Sequence, residues 1–171
     1  MRLPWPAVVA GLLAAVVGGA GLIRGATPQS AAAGPGPSAA PPIVVTNAWL
    51  RPPVPPTDSV AVYFTIYNTT SQPDTLESVV SGAGASAGLH YVIDGQMTAT
   101  TSISVPAKAS LALAPATGHV MISGLYGKIV AGQTVNLELN FANAGPVDVA
   151  AKVIPLLAPA PGTVTTSGAT K

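Results

Sequence analysis

Ser59-Val-Ala-Val-Tyr-Phe-Thr-Ile-Tyr67 decides the fold class. Val60, Val62, Phe64 and Ile66 alternate with Ala61, Tyr63, Thr65 and Tyr67. Successive side chains of an extended strand point to opposite faces, so this stretch has one wholly apolar face and one mixed face. Its β-branched and aromatic residues suit a pleated, half-buried surface.

Outward from this strand the same grammar recurs. Ile43 to Leu50 reads as a strand before it, separated by Arg51-Pro-Pro-Val-Pro-Pro-Thr-Asp58, whose paired prolines cannot sit in a central strand. Asn68 to Asp74 is a turn-rich link, Thr75 to Val80 a strand, and Ser81 to Gly88 a glycine-rich loop. Leu89 to Ile93 and Gln96 to Ser102 flank Asp94-Gly95, a two-residue hairpin signal. Ser110 to Ala114, His119 to Ile122, Thr134 to Phe141 and Val147 to Ile154 complete the set. Short strands with turn signals at this spacing predict an all-β domain, a Greek-key sandwich or barrel, over residues 43–156. No internal repeat is present.

The flanks differ. Arg2 precedes an apolar run from Ala7 to Ile23, closed by Arg24, which predicts a signal peptide or membrane anchor helix over residues 1–24. Cleavage could fall near Gly18-Gly19-Ala20 or at Ala31-Ala32-Ala33. Residues 25–42 are rich in Ala, Gly, Pro and Ser and read as a flexible linker; residues 157–171 have the same character and read as a disordered tail. The expectation is export, to the periplasm or cell surface, with the product secreted or held at the membrane by the N-terminal segment.

Composition excludes several classes. Net charge is +1 and charged residues make up 8% of the chain, so there is no basic footprint for nucleic acid. Cysteine is absent, which removes disulfides, thiolate metal sites, a cysteine nucleophile and lipidation at a cysteine of this sequence. No carboxylate pair or Gly-x-Ser-x-Gly elbow is present, so the chain does not read as an enzyme.

The chemistry gathers between His90 and Met121. This stretch holds both histidines and both methionines other than Met1: His90, Met97, His119 and Met121. In His119-Val-Met121 the imidazole and the thioether share one strand face. If Asp94-Gly95 forms the turn, Val92 faces Met97 and His90 faces Ala99, so His90 and Met97 are diagonal neighbours on one face. Thioether and imidazole suit soft Cu(I) and are poor ligands for Mg or Ca. Taken singly, each methionine reads as core filler and each histidine as a hydrogen-bonded residue; together they point to a Cu(I) site. Trp49, Tyr63 and Tyr67 read as packing residues, and Arg51 as a surface cation.

These residues resemble the periplasmic copper chaperones of the PCuAC type, whose motif is His-x10-Met-x21-His-x-Met. Met97 and His119 have 21 residues between them, and His119-Val120-Met121 supplies the His-x-Met. Ala48-Trp49-Leu50-Arg51, Val62-Tyr63-Phe64-Thr65-Ile66-Tyr67-Asn68, Asp74-Thr75-Leu76, Val105-Pro106-Ala107, Gly124-Leu125, Gly132-Gln-Thr134-Val135 and Leu137-Glu-Leu139-Asn-Phe141 are similar to the family's other segments. The likeness covers about residues 43 to 155.

One spacing departs: six residues separate His90 from Met97 where the family has ten. Four residues fewer, two from each hairpin arm, preserve the inside/outside alternation. Tyr91 stands where the family often has Glu or Met.

The resemblance implies a cupredoxin-like β-barrel that carries Cu(I) on His90, Met97, His119 and Met121. It also implies delivery toward the copper centre of cytochrome c oxidase, often with a thioredoxin-like partner. The alternative is an exported structural or adhesion β-sandwich that has lost its metal.

Overall fold

The structure, a computed structural model, describes residues 40–162. The expected signal or anchor, nearly all of the expected linker and residues 163–171 lie outside the described residues. Ten strands follow in order: β1 (Ile43–Leu50), β2 (Ser59–Asn68), β3 (Asp74–Ser81), β4 (Gly84–Ile93), β5 (Gln96–Thr100), β6 (Ile103–Val105), β7 (Ser110–Leu113), β8 (Gly118–Leu125), β9 (Thr134–Phe141) and β10 (Gly145–Val153). They form one sheet in the order β5-β4-β8-β2-β1-β10-β9-β3-β6, with β7 also pairing β2. The sheet curls into a nearly closed, cupredoxin-like barrel, so the expected all-β architecture is realised. Its one parallel pair is β1 with β10, where Trp49 lies opposite Lys152 and Leu50 opposite Val153.

The alternation in β2 does what its pattern dictates. Val60, Val62, Phe64 and Ile66 are all buried, and they meet Leu76, Val120, Ile122, Leu139 and Val153 in a single core. Each such side chain contributes about 1.5–3 kcal/mol by leaving water. The opposite face of β2 carries Ala61 and Tyr63.

Three polar residues are buried, Asn68, Asp74 and His119, and the first two clamp turns. Asn68 donates from Nδ2 to the carbonyls of Gln72 and Val105, while its Oδ1 accepts from the Thr70 N–H and hydroxyl. The Asp74 carboxylate accepts from the backbone N–H groups of Thr75, Asn143 and Ala144 and from the Asn143 side chain. It thereby locks the β9–β10 turn to the start of β3.

The structure differs from the sequence reading in four places. Ser81 to Gly88 is not a loop: β4 begins at Gly84 and pairs β8 from there. A Cβ on Gly84 would lie 2.7 Å from the Ser123 carbonyl oxygen, so this glycine marks a close backbone approach within a strand. β6 is an additional strand, only three residues long. Residues 157–162, expected in the tail, begin with a turn that returns to β1: the Ala158 carbonyl accepts from Arg51 at 2.7 Å.

The fourth difference is a bulge. Thr46 lies opposite Thr65 and Trp49 opposite Tyr63, so β1 advances three residues while β2 advances two. Asn47 takes φ of 52°, a left-handed conformation that asparagine tolerates better than most residues. The extra residue reverses the alternation of β1. Before it, Val45 faces the core opposite Ile66; after it, Leu50 faces the core opposite Val62, and Trp49 turns outward beside Tyr63.

Candidate metal centre

Three cross-strand rows build the site on the outer face of β5, β4, β8 and β2. The hairpin forms as expected: Asp94 and Gly95 both have positive φ, 52° and 76°, the requirement of a type I′ turn. Val92 is opposite Met97 and His90 opposite Ala99. On the other side of β4, His90 is opposite His119 and Gly88 opposite Met121; Met121 is in turn opposite Ala61. Directly opposed residues share a face. His90, Met97, His119 and Met121 therefore lie on one face, brought together by the β4–β8 pairing. Val92 faces Met97, and the other residues facing the four are small: Ala61, Gly88 and Ala99.

The histidines touch. His90 Nδ1 and His119 Nε2 are 3.2 Å apart, with the rings edge-on at 72°. One ring's N–H donates to the lone pair of the other, so the pair carries at most one shared proton in this arrangement. Burial, and secondarily the neighbouring His90, holds the His119 pKa below the usual imidazole value, so its ring is neutral at pH 7. His119 is 9% exposed, Met121 is half-buried and Met97 is 42% exposed. Neither methionine fills the core, whose β8 positions belong to Val120 and Ile122. Among the described residues no group of three or more His, Cys, Asp or Glu could hold a metal ion; the thioether sulfurs of Met97 and Met121 stand on the same face as the histidine pair.

An aromatic wall backs His119. The Tyr63 ring meets it edge-on at 6.0 Å, Trp49 packs against Tyr63 at 4.6 Å, and the Arg51 guanidinium lies 4.8 Å over Trp49. Burial raises the Tyr63 phenol pKa, with Arg51 opposing the rise. Arg51 is thus not the surface cation its sequence position suggests: it is half-buried, and its buried Nε makes no hydrogen bond among the described residues. Sequence reasoning gave Trp49 and Tyr63 packing roles alone. Asn47, a residue that tolerates positive φ, was the local signal for the bulge that groups them.

Gly118 sets the spacing of the two imidazoles. A Cβ there would lie 2.6 Å from Tyr91 Cδ2 and 2.7 Å from the His90 carbonyl oxygen. Tyr91 packs inward against the core and takes no part in the face that carries the histidines. Gly118→Ala should push β8 off β4, costing about 1–3 kcal/mol of stability and breaking the contact between the rings. Urea unfolding and the imidazole ¹⁵N resonances check the two effects; unchanged ring resonances would contradict this account.

Comparison with known proteins agrees with this architecture. Residues 43–153 match the family described as "Putative lipoprotein LpqE-like". A relative from Leifsonia xyli subsp. xyli, "Putative lipoprotein Lxx21020", is 28% identical over 116 residues, 65% of this chain and 69% of that protein. Among solved structures, the solution structure of CuI-DR1885 from Deinococcus radiodurans is 27% identical, with a TM-score of 0.59 over 70% of this chain and 83% of that one. The copper-bound PCuAC domain from PmoF2 shares the fold at 24% identity, with a TM-score of 0.60 over 67% of this chain and 93% of that one. The family match opens on the first residue of β1 and closes on the last of β10, so it takes in the whole barrel: the protein belongs to the LpqE-like family, and its fold is of the PCuAC type.

Proposed function

We propose that the outer face of β4, β5 and β8 binds Cu(I) through His90 Nδ1, His119 Nε2 and the sulfurs of Met97 and Met121, and that the protein is an extracytoplasmic copper carrier. The observation that carries this is the approach of the two imidazole nitrogens to 3.2 Å, with both methionines on the same sheet face. A tetrahedral ion bound at about 2.0–2.1 Å from each nitrogen needs them about 3.3 Å apart. The rings stand at nearly that separation.

The donor set fits the cargo. Neutral imidazole and thioether are soft or borderline ligands, and they leave the ion its positive charge. For both nitrogens to face the ion, the N–H proton between the rings passes to the other nitrogen of its own ring, so both imidazoles stay neutral. Met97 sits on β5, the edge strand of the sheet, and is the most exposed of the four, so its sulfur can leave without disturbing the barrel. That suits a hand-over by ligand exchange, with no bond made or broken in a substrate and no catalytic turnover. Two relatives of this fold are described as copper-bound.

The finer reading follows from the PCuAC resemblance. The recipient is the binuclear copper centre of cytochrome c oxidase, reached with a thioredoxin-like partner. The carrier works outside the cytoplasmic membrane, exported by its N-terminal segment. None of the 171 residues is cysteine, so lipidation at a cysteine has no acceptor among them.

Titration of the full chain with Cu(I) against a chromogenic chelator tests the proposal. One tight equivalent is expected, with Met97→Leu weakening it by roughly 10-fold or more, a cost of about 1.4 kcal/mol. Absent binding, or binding indifferent to Met97→Leu and Met121→Leu together, overturns it and leaves an exported structural β-domain.

A further inference from the structure

The carrier reading assigns no role to the residues behind the histidine pair, yet they form a continuous stack that ends on it. Ala158 accepts from Arg51 Nη2 at 2.7 Å, Arg51 covers Trp49 at 4.8 Å, Trp49 packs on Tyr63 at 4.6 Å, and Tyr63 meets the edge of His119 at 6.0 Å. Each link has a physical cause. The bulge at Asn47 turns Trp49 outward, and Arg51, two residues on, follows it to the same face. A guanidinium over an indole is attracted by the ring quadrupole, more strongly where both are withdrawn from water. Trp49 is only 5% exposed, and the Arg51 Nε is buried. The short segment after β10 holds the guanidinium in place.

We propose that Arg51 is a positioning residue for His119: latched by the Ala158 carbonyl, it presses Trp49 onto Tyr63 and so fixes the His119 ring with Nε2 aimed at His90. The inference rests on the copper-carrier reading for its purpose but not for its geometry. A ring held in one orientation loses less freedom on capturing the ion, which is why groups supporting metal-bound histidines govern affinity. Tyr63 is the link. Without its ring, Arg51 has no path to His119.

The test uses the full chain and three variants, Arg51→Met, Arg51→Lys and Tyr63→Leu, with Arg51→Met also made in the Tyr63→Leu background. The first readout needs no metal: the imidazole ¹⁵N and ¹H resonances of His119 in the copper-free protein. Arg51→Met should shift them, and Arg51→Lys, which keeps a cation over the indole, should restore them in part. The second readout is Cu(I) affinity and the rate of release to a chelator. Arg51→Met should weaken binding roughly 10-fold, within the 10–100-fold typical of supporting residues, and should add nothing once Tyr63 is leucine. Unmoved His119 resonances in Arg51→Met overturn the proposal, as does an equal loss with and without the Tyr63 ring. Should the wild-type chain bind no Cu(I), the carrier reading fails alone, and the resonances still decide whether Arg51 positions His119.

Discussion

His119→Ala should abolish tight Cu(I) binding, lowering affinity by more than the roughly 100-fold that loss of a mere supporting residue costs. Two effects add. The substitution removes the most buried of the four proposed donors, and it leaves His90 without the ring that faces its Nδ1 at 3.2 Å. His90 is then free to turn away from the site, so the second imidazole is weakened with the first. Stability should change by less than 1.5 kcal/mol, because His119 lies on the outer face while its neighbours Val120 and Ile122 carry the core. Chelator competition and urea unfolding on the same preparation separate the outcomes. Retention of one tight equivalent by His119→Ala would remove the imidazole pair from the site.

The largest effect on the fold is expected from Asp74→Ala, at about 3–4 kcal/mol. Its carboxylate accepts three backbone N–H groups at 2.7–2.9 Å, two of them from the β9–β10 turn. Bonds to a charged acceptor contribute about 1.5–3 kcal/mol each, and donors stranded by its loss are costly. Burial by itself would raise the Asp74 pKa. The N–H groups of Asn143, Thr75 and Ala144, with the Asn143 amide, outweigh it and hold the pKa below 3.8. A carboxyl depressed by folding adds stability that is complete above its unfolded value and lost as pH falls through its folded one. The gap between wild type and Asp74→Ala should therefore be constant from pH 7 to about pH 5 and close progressively below pH 3.8. Urea midpoints across that range measure it; a gap that persists undiminished at pH 2 would show that the charge is not what holds the turn.

Local patterns carried much of this molecule. Alternation in Ser59 to Tyr67 and the Asp94-Gly95 turn are short-range signals, and both the strand and the hairpin register follow from them. The same signals placed His90 with Met97 and His119 with Met121 in separate pairs. That the pairs meet depends on β4 lying beside β8, a contact between segments 29 residues apart at the histidines, and no local pattern encodes which strand a segment will choose. Gly84 to Gly88 misled for the opposite reason: glycine usually signals a loop, but here Gly84 is required by the closeness of the neighbouring strand. Asp74 and Asn68 stood out through family resemblance, while their work as turn clamps is visible only once their distant partners are in place.

The bulge in β1 and the short hairpin of β4 and β5 obey one counting rule. Strand geometry is sensitive to whether a length change is odd or even. The hairpin is four residues shorter than the motif it resembles implies, and His90 and Met97 still share one face, because an even change in length is silent at a strand tip. A single added residue near Asn47 is odd, and it exchanges the two sides of everything that follows in the strand. The β4–β5 hairpin can therefore change length in steps of two almost freely, whereas removing one residue at Asn47 would turn Trp49 from the wall into the core and expel Leu50, exchanging wall for core in a single event.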